Sequence, residues 1–321
     1  AGSSLKSLGL VDAGADAVTL NDKQNVLTGN FIGVALDGTT AVPNQGFGLT
    51  INAASTANTI GASTSLNSTG LTPTASNLIS GNTGGGIAVH GSSANVFLSN
   101  YIGTNLAGSA AVPNGGVGLR LDSGATGNTI GGTVPFKNPP PGQVALSNLI
   151  SGNRGTGIFL AGSTNNFLAA NLVGTDYTGN APLGNDGDGI ALTAGSNGNT
   201  LQGTVDFMQP FVYANIVSGN HGNGLRIADS NSTTVQANFF GLGLNNSTGV
   251  GNDLNGALIE GTSRGVNFGG NIPLGNVTSA NGLNGVELRD TASGFRAFNS
   301  FSGTDAFSQL NTLGNRLNGF L

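Results

Sequence analysis

The densest group of residues able to do chemistry is the run Gly184-Asn185-Asp186-Gly187-Asp188-Gly189, with Asp176 a short way upstream. Carboxylate and carbonyl oxygens so spaced could hold Ca²⁺, a hard cation that takes several oxygen ligands, or form an acidic spot that grips sugar hydroxyls. Asp176, Asp186 and Asp188 are therefore the candidate ligand-binding residues, and Ca²⁺ is the one cofactor they admit. An Asp-Gly-Asp-Gly run is also what a tight turn uses, because Asp bonds neighbouring backbone and Gly takes left-handed angles. The Ca²⁺-binding nonapeptide pattern Gly-Gly-x-Gly-x-Asp does not repeat. An acid–base reaction needs paired carboxylates or a base with a positive partner. The 15 Asp plus Glu do not fall in one column of the repeat described below, and His90 and His221 read as solvated turn residues. Arg120 and Arg226 share an outward column, with three coils expected between them. No catalytic residue is assigned.

The elements that must position these residues follow from composition. Of 321 residues, 56 are Gly and 42 are Asn, the two types that best tolerate left-handed backbone and turns and that serve poorly inside helices. Many short strands joined by turns are implied, and helical bundles and doubly wound α/β folds are excluded. With 37% hydrophobic and only 8% charged residues the chain does not have the profile of disorder. A net charge of −5 leaves no basic stripe for nucleic acid. No apolar run approaches the ~18 residues of a transmembrane helix. Absence of Cys removes disulfides, thiolate metal sites and a Cys nucleophile.

An internal repeat dominates the chain. Asn77-Leu78-Ile79-Ser80-Gly81-Asn82 recurs at Asn148 to Asn153 and Asn215 to Asn220, with a decayed copy beginning at Asn276. A second station reads Asn30-Phe31-Ile32-Gly33, then recurs from Asn100, Asn171 and Asn238, and as Asn299-Ser300-Phe301-Ser302. Asn77 to Asn100, Asn148 to Asn171, Asn215 to Asn238 and Asn276 to Asn299 are each 23 residues. Between the stations lie alternating strands such as Gly86-Ile87-Ala88-Val89 and Gly157-Ile158-Phe159-Leu160, and Gly86 to Gly118, Gly157 to Gly189 and Gly224 to Gly256 are each 32 residues. Alternation of period two puts one side chain in and the next out. A third short apolar element, such as Val96-Phe97 or Thr129-Ile130, closes each repeat. Three short strands in about 23 residues form one coil of a three-sided parallel β-solenoid. About ten coils at ~4.8 Å each give a rod of roughly 48 Å. Ile32, Ile79, Ile102, Ile150, Val173, Val217, Phe240 and Phe301 are expected to form one internal stack, with Thr278 its single polar interruption.

These stations and strands resemble the right-handed parallel β-helix repeats of bacterial secreted and cell-surface proteins, including autotransporter passengers and large adhesins. The resemblance spans nearly the whole chain. It implies an all-β, right-handed three-sided parallel β-helix and a secreted or cell-surface location. It is weak for function, because the same scaffold carries pectate lyases, polygalacturonases, epimerases and phage tailspikes. His221 in Asn220-His221-Gly222 faintly echoes the Gly-His-Gly element of polygalacturonases, without their paired Asp-Asp or Arg-x-Lys.

Coils that begin at the second station carry long turns, 34–46, 104–116, 175–187, 242–255 and 304–318, expected to stack on alternate coils as a ridge spaced ~10 Å. Further insertions at 62–76, 134–147 and 205–214 occupy another corner. Loops on a rigid scaffold are a usual place for binding. Asn30, Asn77, Asn100, Asn148, Asn171, Asn215, Asn238, Asn276 and Asn299 are read as structural, each amide donating to one coil and accepting from the other. Thr59, Thr129 and Thr200 recur on alternate coils only, which does not suit a flat ice-binding array. Asn67, Asn231, Asn246 and Asn276 open formal glycosylation sequons and are read as turn chemistry. Residues 1–321 are expected to form a single β-helix domain, a segment of a longer repeat protein. The functional expectation is a non-enzymatic structural or adhesive module, with glycans or a host or cell surface as partner. The alternatives are a polysaccharide-binding or polysaccharide-degrading β-helix and a self-associating assembly protein that pairs with its own copies.

Overall fold

The computed structural model describes residues 2–61, 76–132, 147–203, 214–271, 275–305 and 312–321. The insertions at 62–76, 134–147 and 205–214 fall almost entirely outside them, as do Asn67 and part of the 304–318 turn. The described residues form three parallel sheets and no helix, wound as a three-sided parallel β-helix. The first sheet has ten strands, from Ser4–Lys6 to Arg296–Phe298. The second, also of ten, runs from Gly9–Leu10 to Phe301–Ser302, and the third has nine, from Val18–Leu20 to Val286–Leu288.

Register explains the core. In the third sheet Leu49, Ile87, Leu119, Ile158, Ile190 and Leu225 pair in sequence and are fully or almost fully buried, while Thr50, Ala88, Arg120, Phe159, Ala191 and Arg226 form the outward column between them. The first sheet contributes Leu27, Ile60, Phe97, Ile130, Leu168, Leu201, Val235 and Phe268 to the same core. Burying one such side chain stabilises by roughly 1.5–3 kcal/mol. Towards the C-terminal end aromatic rings take over, with Phe240 and Phe268 stacked at 6.0 Å and Phe268 and Phe295 at 5.9 Å.

In the second sheet Ile32, Ile79, Ile102, Ile150, Val173, Val217 and Phe240 stack inward, followed by Thr278 and then Ser302. Phe301 does not belong to this stack. It pairs with Val277 in the outward column, so the inward stack ends on two polar residues. The turn between Val286–Leu288 and Arg296–Phe298 sets the two strands ten positions apart, one more than the nine that separate Leu225–Ala228 from Thr234–Gln236, and this moves everything after it by one place.

The same slip corrects Asn299. Asn30, Asn77, Asn100, Asn148, Asn171, Asn215, Asn238 and Asn276 form a continuous ladder, each Nδ2 donating to the next Oδ1 at 2.7–3.0 Å. The backbone N–H of Asn276 then donates to Ser300 Oγ at 3.2 Å, so Ser300, not Asn299, takes the ladder position. Asn299 sits at the preceding turn with φ 45°, where Ser99, Ala170 and Ala237 are also left-handed. Two further ladders hold the other corners. Asn25, Asn58, Asn95, Asn128, Asn166 and Asn199 precede the first sheet. Asn44, Asn82, Asn114, Asn153, Asn185, Asn220, Asn252, Asn281 and Asn315 precede the third. Each amide also satisfies backbone groups of the turns, which would otherwise be orphaned in the interior.

The six-residue station is thereby accounted for. Asn77 and Asn82 belong to two ladders, Ile79 points into the core and Leu78 points out beneath the long turn. Ser80 Oγ donates to the Thr104 carbonyl at 2.8 Å and accepts from Gly103 N at 3.0 Å, fastening the next coil where its long turn departs. Ser151 and Ser218 repeat the arrangement with Thr175 and Leu242.

Candidate ligand-binding surface

The long turns are hairpins, closed by antiparallel bridges Val34 to Ala41, Thr104 to Ala111, Thr175 to Pro182 and Leu242 to Gly249. They arise on alternate coils yet touch one another: Leu106 N donates to Gly38 O, Tyr177 N to Gly108 O and Leu244 N to Gly179 O, each at 2.9 Å. A hairpin is two strands thick, so one per two coils, about 10 Å, fills the ridge without gaps. Beneath it the outward residues of the second sheet are sealed into small apolar clusters, Leu78 with Val34 and Val112, and Leu149, Leu172, Ile216 and Phe239 with Leu242. Burial, together with the nearby Tyr177, pushes the Tyr101 phenol up.

The candidate carboxylates are placed by this architecture. Asp176 lies in the third hairpin, where its Oδ1 accepts from Thr178 Oγ1 at 2.7 Å and from Ala181 N at 3.2 Å. Asp37 serves the first hairpin in the same manner, and its bonds from the Thr40 hydroxyl and the Thr40 and Thr39 N–H groups hold its carboxyl down at about 2. Asp188 is the head of a fourth amide ladder. Its Oδ1 accepts from Asn223 N at 2.8 Å and Asn223 Nδ2 at 2.9 Å, and Asn255, Asn284 and Asn318 continue the column, each donating back towards the preceding coil at 3.0 Å. That direction requires an acceptor at the head, which a carboxylate oxygen supplies. Asp186 is exposed at the intervening turn. Among the described residues no group of three or more His, Cys, Asp or Glu is placed to hold a metal ion.

The 32-residue offset brings together side chains that the sequence leaves apart. His90 and Asp122 are cross-strand partners on the outward face of the third sheet, with Nδ1 to Oδ1 at 2.6 Å, and Arg120 Nε meets the other carboxylate oxygen at 2.6 Å. The Asp122 side chain is 9% exposed, against 40% for His90 and 42% for Arg120. Burial alone would raise the Asp122 pKa, but hydrogen bonds from His90 and Ser123 and the charges of His90 and Arg120 outweigh it and hold the carboxyl below its ordinary value. His90 is therefore a strand residue bonded to a carboxylate, not the solvated turn residue expected from the sequence. The spacing 90 to 122 equals that of Gly86 to Gly118 and would have exposed the pair; His221 and Asp253 are related alike and lie 2.9 Å apart in the open. Further along the same face stand the pairs Arg226–Glu260 and Arg289–Glu287. Two coils, those of Phe159 and Ala191, separate Arg120 from Arg226, one fewer than the three expected.

The first sheet carries a different surface. A solvent-open trough of about 290 Å³ is lined by Thr234, Gln236, Asn267, Gly269, Gly270, Asn271 and Phe298. Its cause is one residue: in the outward column Gln202, Gln236, Gly269, Phe298, the glycine leaves a gap between a long amide and an aromatic ring. Gly269 has φ +92° and a Cβ there would strike the Phe298 carbonyl, so no other residue fits. Phe298 is 50% exposed. Hydroxyl, amide and aromatic groups converge here without a charge at the floor.

Comparison with known proteins finds no matching family model and no matching curated protein. Among solved structures the chain is similar to a mannuronan C-5 epimerase A-module of Azotobacter vinelandii, at 13% identity and TM-score 0.48 over 100% of this chain and 79% of that one. A double mutant of a periplasmic alginate epimerase matches at 14% identity and TM-score 0.46 over 88% of this chain, which spans 60% of that protein. A surface protein and adhesin of Streptococcus pneumoniae matches at 12% identity and TM-score 0.25, over 100% of this chain and 89% of that one. Likenesses of this degree carry no site residue across. Among the described residues no helix is long and apolar enough to cross a membrane.

Proposed function

We propose that this chain is a non-enzymatic extracellular module, a rigid rod of a bacterial surface or secreted protein that binds a neutral glycan on its first-sheet face. The observation that carries this reading is the trough of Thr234, Gln236, Asn267, Asn271 and Phe298. A sugar presents hydroxyls at its rim and C–H groups on its faces. Amides and hydroxyls answer the first, and a half-exposed aromatic ring answers the second. The strands beneath hold the lining groups in fixed register, so little ordering cost accompanies binding. A glycan array with wild type and with Phe298→Ala tests it: retained neutral glycans, with binding weakened about tenfold or more in the variant, support the reading. Wild type that retains none, or a variant that binds equally well, refutes it.

A second reading, a polysaccharide-processing β-helix, draws on the hydrogen-bonded His90–Asp122 pair, since a carboxylate that fixes an imidazole equips it for proton transfer. A polysaccharide depolymerisation screen comparing wild type with His90→Gln decides it: product formed by wild type and lost in the variant favours an enzyme, and none from either leaves the binding module.

A further inference from the structure

We propose that the third-sheet face around His90, Arg120 and Phe159 is a second binding site, for a sugar that bears a carboxylate, distinct from the trough on the first sheet. The inference concerns binding alone and holds whether or not His90 transfers protons.

Register places the groups. His90, Asp122 and Ala161 occupy one outward column on three successive coils, and Ala88, Arg120 and Phe159 the column beside it. Arg120 and Phe159 are direct cross-strand partners, about one strand spacing apart, ~4.8 Å. Asp122 ties the charged groups in place from below. Because it is ionised and acceptor-only, the imidazole must meet it as Nδ1–H, which leaves Nε2 on the far side of the ring to hydrogen-bond a ligand hydroxyl. Arg120 meets Asp122 through Nε, and its two terminal amino groups carry the guanidinium's remaining donors in the fork geometry that matches a carboxylate. Phe159 is half-buried, with its ring on the outward face. The adjoining outward positions Ala88, Ala161 and Ala191 carry only a methyl group and raise no wall around these side chains.

The arrangement selects a ligand. A planar ring takes the C–H face of a pyranose, the guanidinium takes a carboxylate on that sugar, and Nε2 hydrogen-bonds a hydroxyl. A neutral sugar would leave the guanidinium donors without a charged partner. The other ion pairs of this face lack the combination: Arg226 pairs with Glu260 beside Leu258, and Arg289 with Glu287, with neither imidazole nor aromatic ring among them. A bond that merely staples neighbouring coils needs one donor partner for its carboxylate. Asp122 has two, both near 40% exposed.

Isothermal titration calorimetry with trigalacturonate and with its methyl ester, on wild type, Arg120→Gln, Phe159→Ala and Arg226→Gln, tests the site. The acid should bind and the ester should not. Arg120→Gln and Phe159→Ala should each weaken the acid about tenfold or more, and Arg226→Gln less than about twofold. Each variant's folding is checked by circular dichroism, and Phe298→Ala, which alters the trough, should leave trigalacturonate binding intact. The proposal is overturned if wild type fails to bind trigalacturonate, if acid and ester bind alike, or if Arg120→Gln and Arg226→Gln weaken binding equally, which would report only the charge of the face.

Discussion

Replacing Asn148 by Ala should cost about 3–6 kcal/mol, a large fraction of the stability of an ordinary domain. Asn148 Oδ1 accepts from the Asn100 backbone N–H at 3.1 Å and from Asn100 Nδ2 at 3.0 Å, and its Nδ2 donates to the Phe97 carbonyl and to Asn171 Oδ1, both at 2.9 Å. The Phe97 carbonyl keeps a second partner, Gly131 N at 2.8 Å. The groups orphaned are the Asn100 N–H, one Asn100 amide hydrogen and Asn171 Oδ1, on residues with no solvent exposure. Each costs about 1–3 kcal/mol when left unsatisfied, and the lower half of that range applies where the small void can relax or admit a water. Urea denaturation gives the change, and hydrogen exchange at Leu149 and Leu172 locates it, since a stacked rod opens locally. Asn148→Asp separates hydrogen bonding from shape. It keeps the acceptors, loses both donations and buries a carboxylate, whose native-state pKa burial raises above the unfolded value. The native state then binds more protons, so stability is present below about pH 3.9 and falls as pH rises towards 7. Asn52→Ala, which removes an exposed amide bond to Asn21, should cost under about 0.5 kcal/mol. A loss below about 1 kcal/mol for Asn148→Ala, or a pH-independent Asn148→Asp, would refute the ladder as a stabilising device.

Asp188→Ala should cost about 1–2 kcal/mol and Asp188→Asn much less, because the amide retains the oxygen that Asn223 needs. Thermal melts with and without Ca²⁺ complete that test: a Ca²⁺-dependent rise in wild type that Asp188→Ala abolishes would support a cation site there. Asp122→Asn should lower stability near neutral pH by about 1–2 kcal/mol and flatten the acid limb. The wild-type carboxyl is held below its ordinary value, so its contribution is present above the unfolded pKa and lost as pH falls through the folded one. Denaturation curves across the acid range measure it, and parallel wild-type and variant curves would contradict the assignment.

Much of the scaffold is readable because a solenoid repeats its physics. A side chain at one corner meets its own copy on the next coil, so recurrence in the chain is adjacency in space, and the Asn, Ile and Ser of each station report their partners. Reading by recurrence fails where a coil gains or loses one residue. Counting 23 from Asn276 lands on Asn299, yet the longer turn before Arg296 makes Ser300 the true equivalent and turns Phe301 outward. The hairpins are legible as long turns, but their mutual hydrogen bonds are not, because contact depends on thickness and not on length. His90 and Asp122 were missed for another reason: they are different residue types, and a search for like stacked on like passes over a pair whose chemistry lies in being unlike.

That last point bears on where function sits in such a molecule. A column that repeats one residue type is doing structural work, since each copy satisfies or packs against the next. Asp176 and Asp188 hold structural positions of this kind, Asp176 closing a hairpin and Asp188 heading an amide ladder. Both proposed binding sites lie instead where an outward column changes residue type from coil to coil. Gln202 and Gln236 give way to Gly269, where a left-handed backbone and the Phe298 carbonyl exclude any side chain, and then to the half-exposed ring of Phe298. The third-sheet column runs Thr50, Ala88, Arg120, Phe159, Ala191 and Arg226, and sets a cation beside an aromatic ring at Arg120 and Phe159. If these interruptions are mere tolerance of a solvent-facing position, Phe298→Gln and Arg120→Ala should leave stability and every binding measurement unchanged. If they are sites, each should weaken binding about tenfold or more on its own face only, and leave the other face as it was.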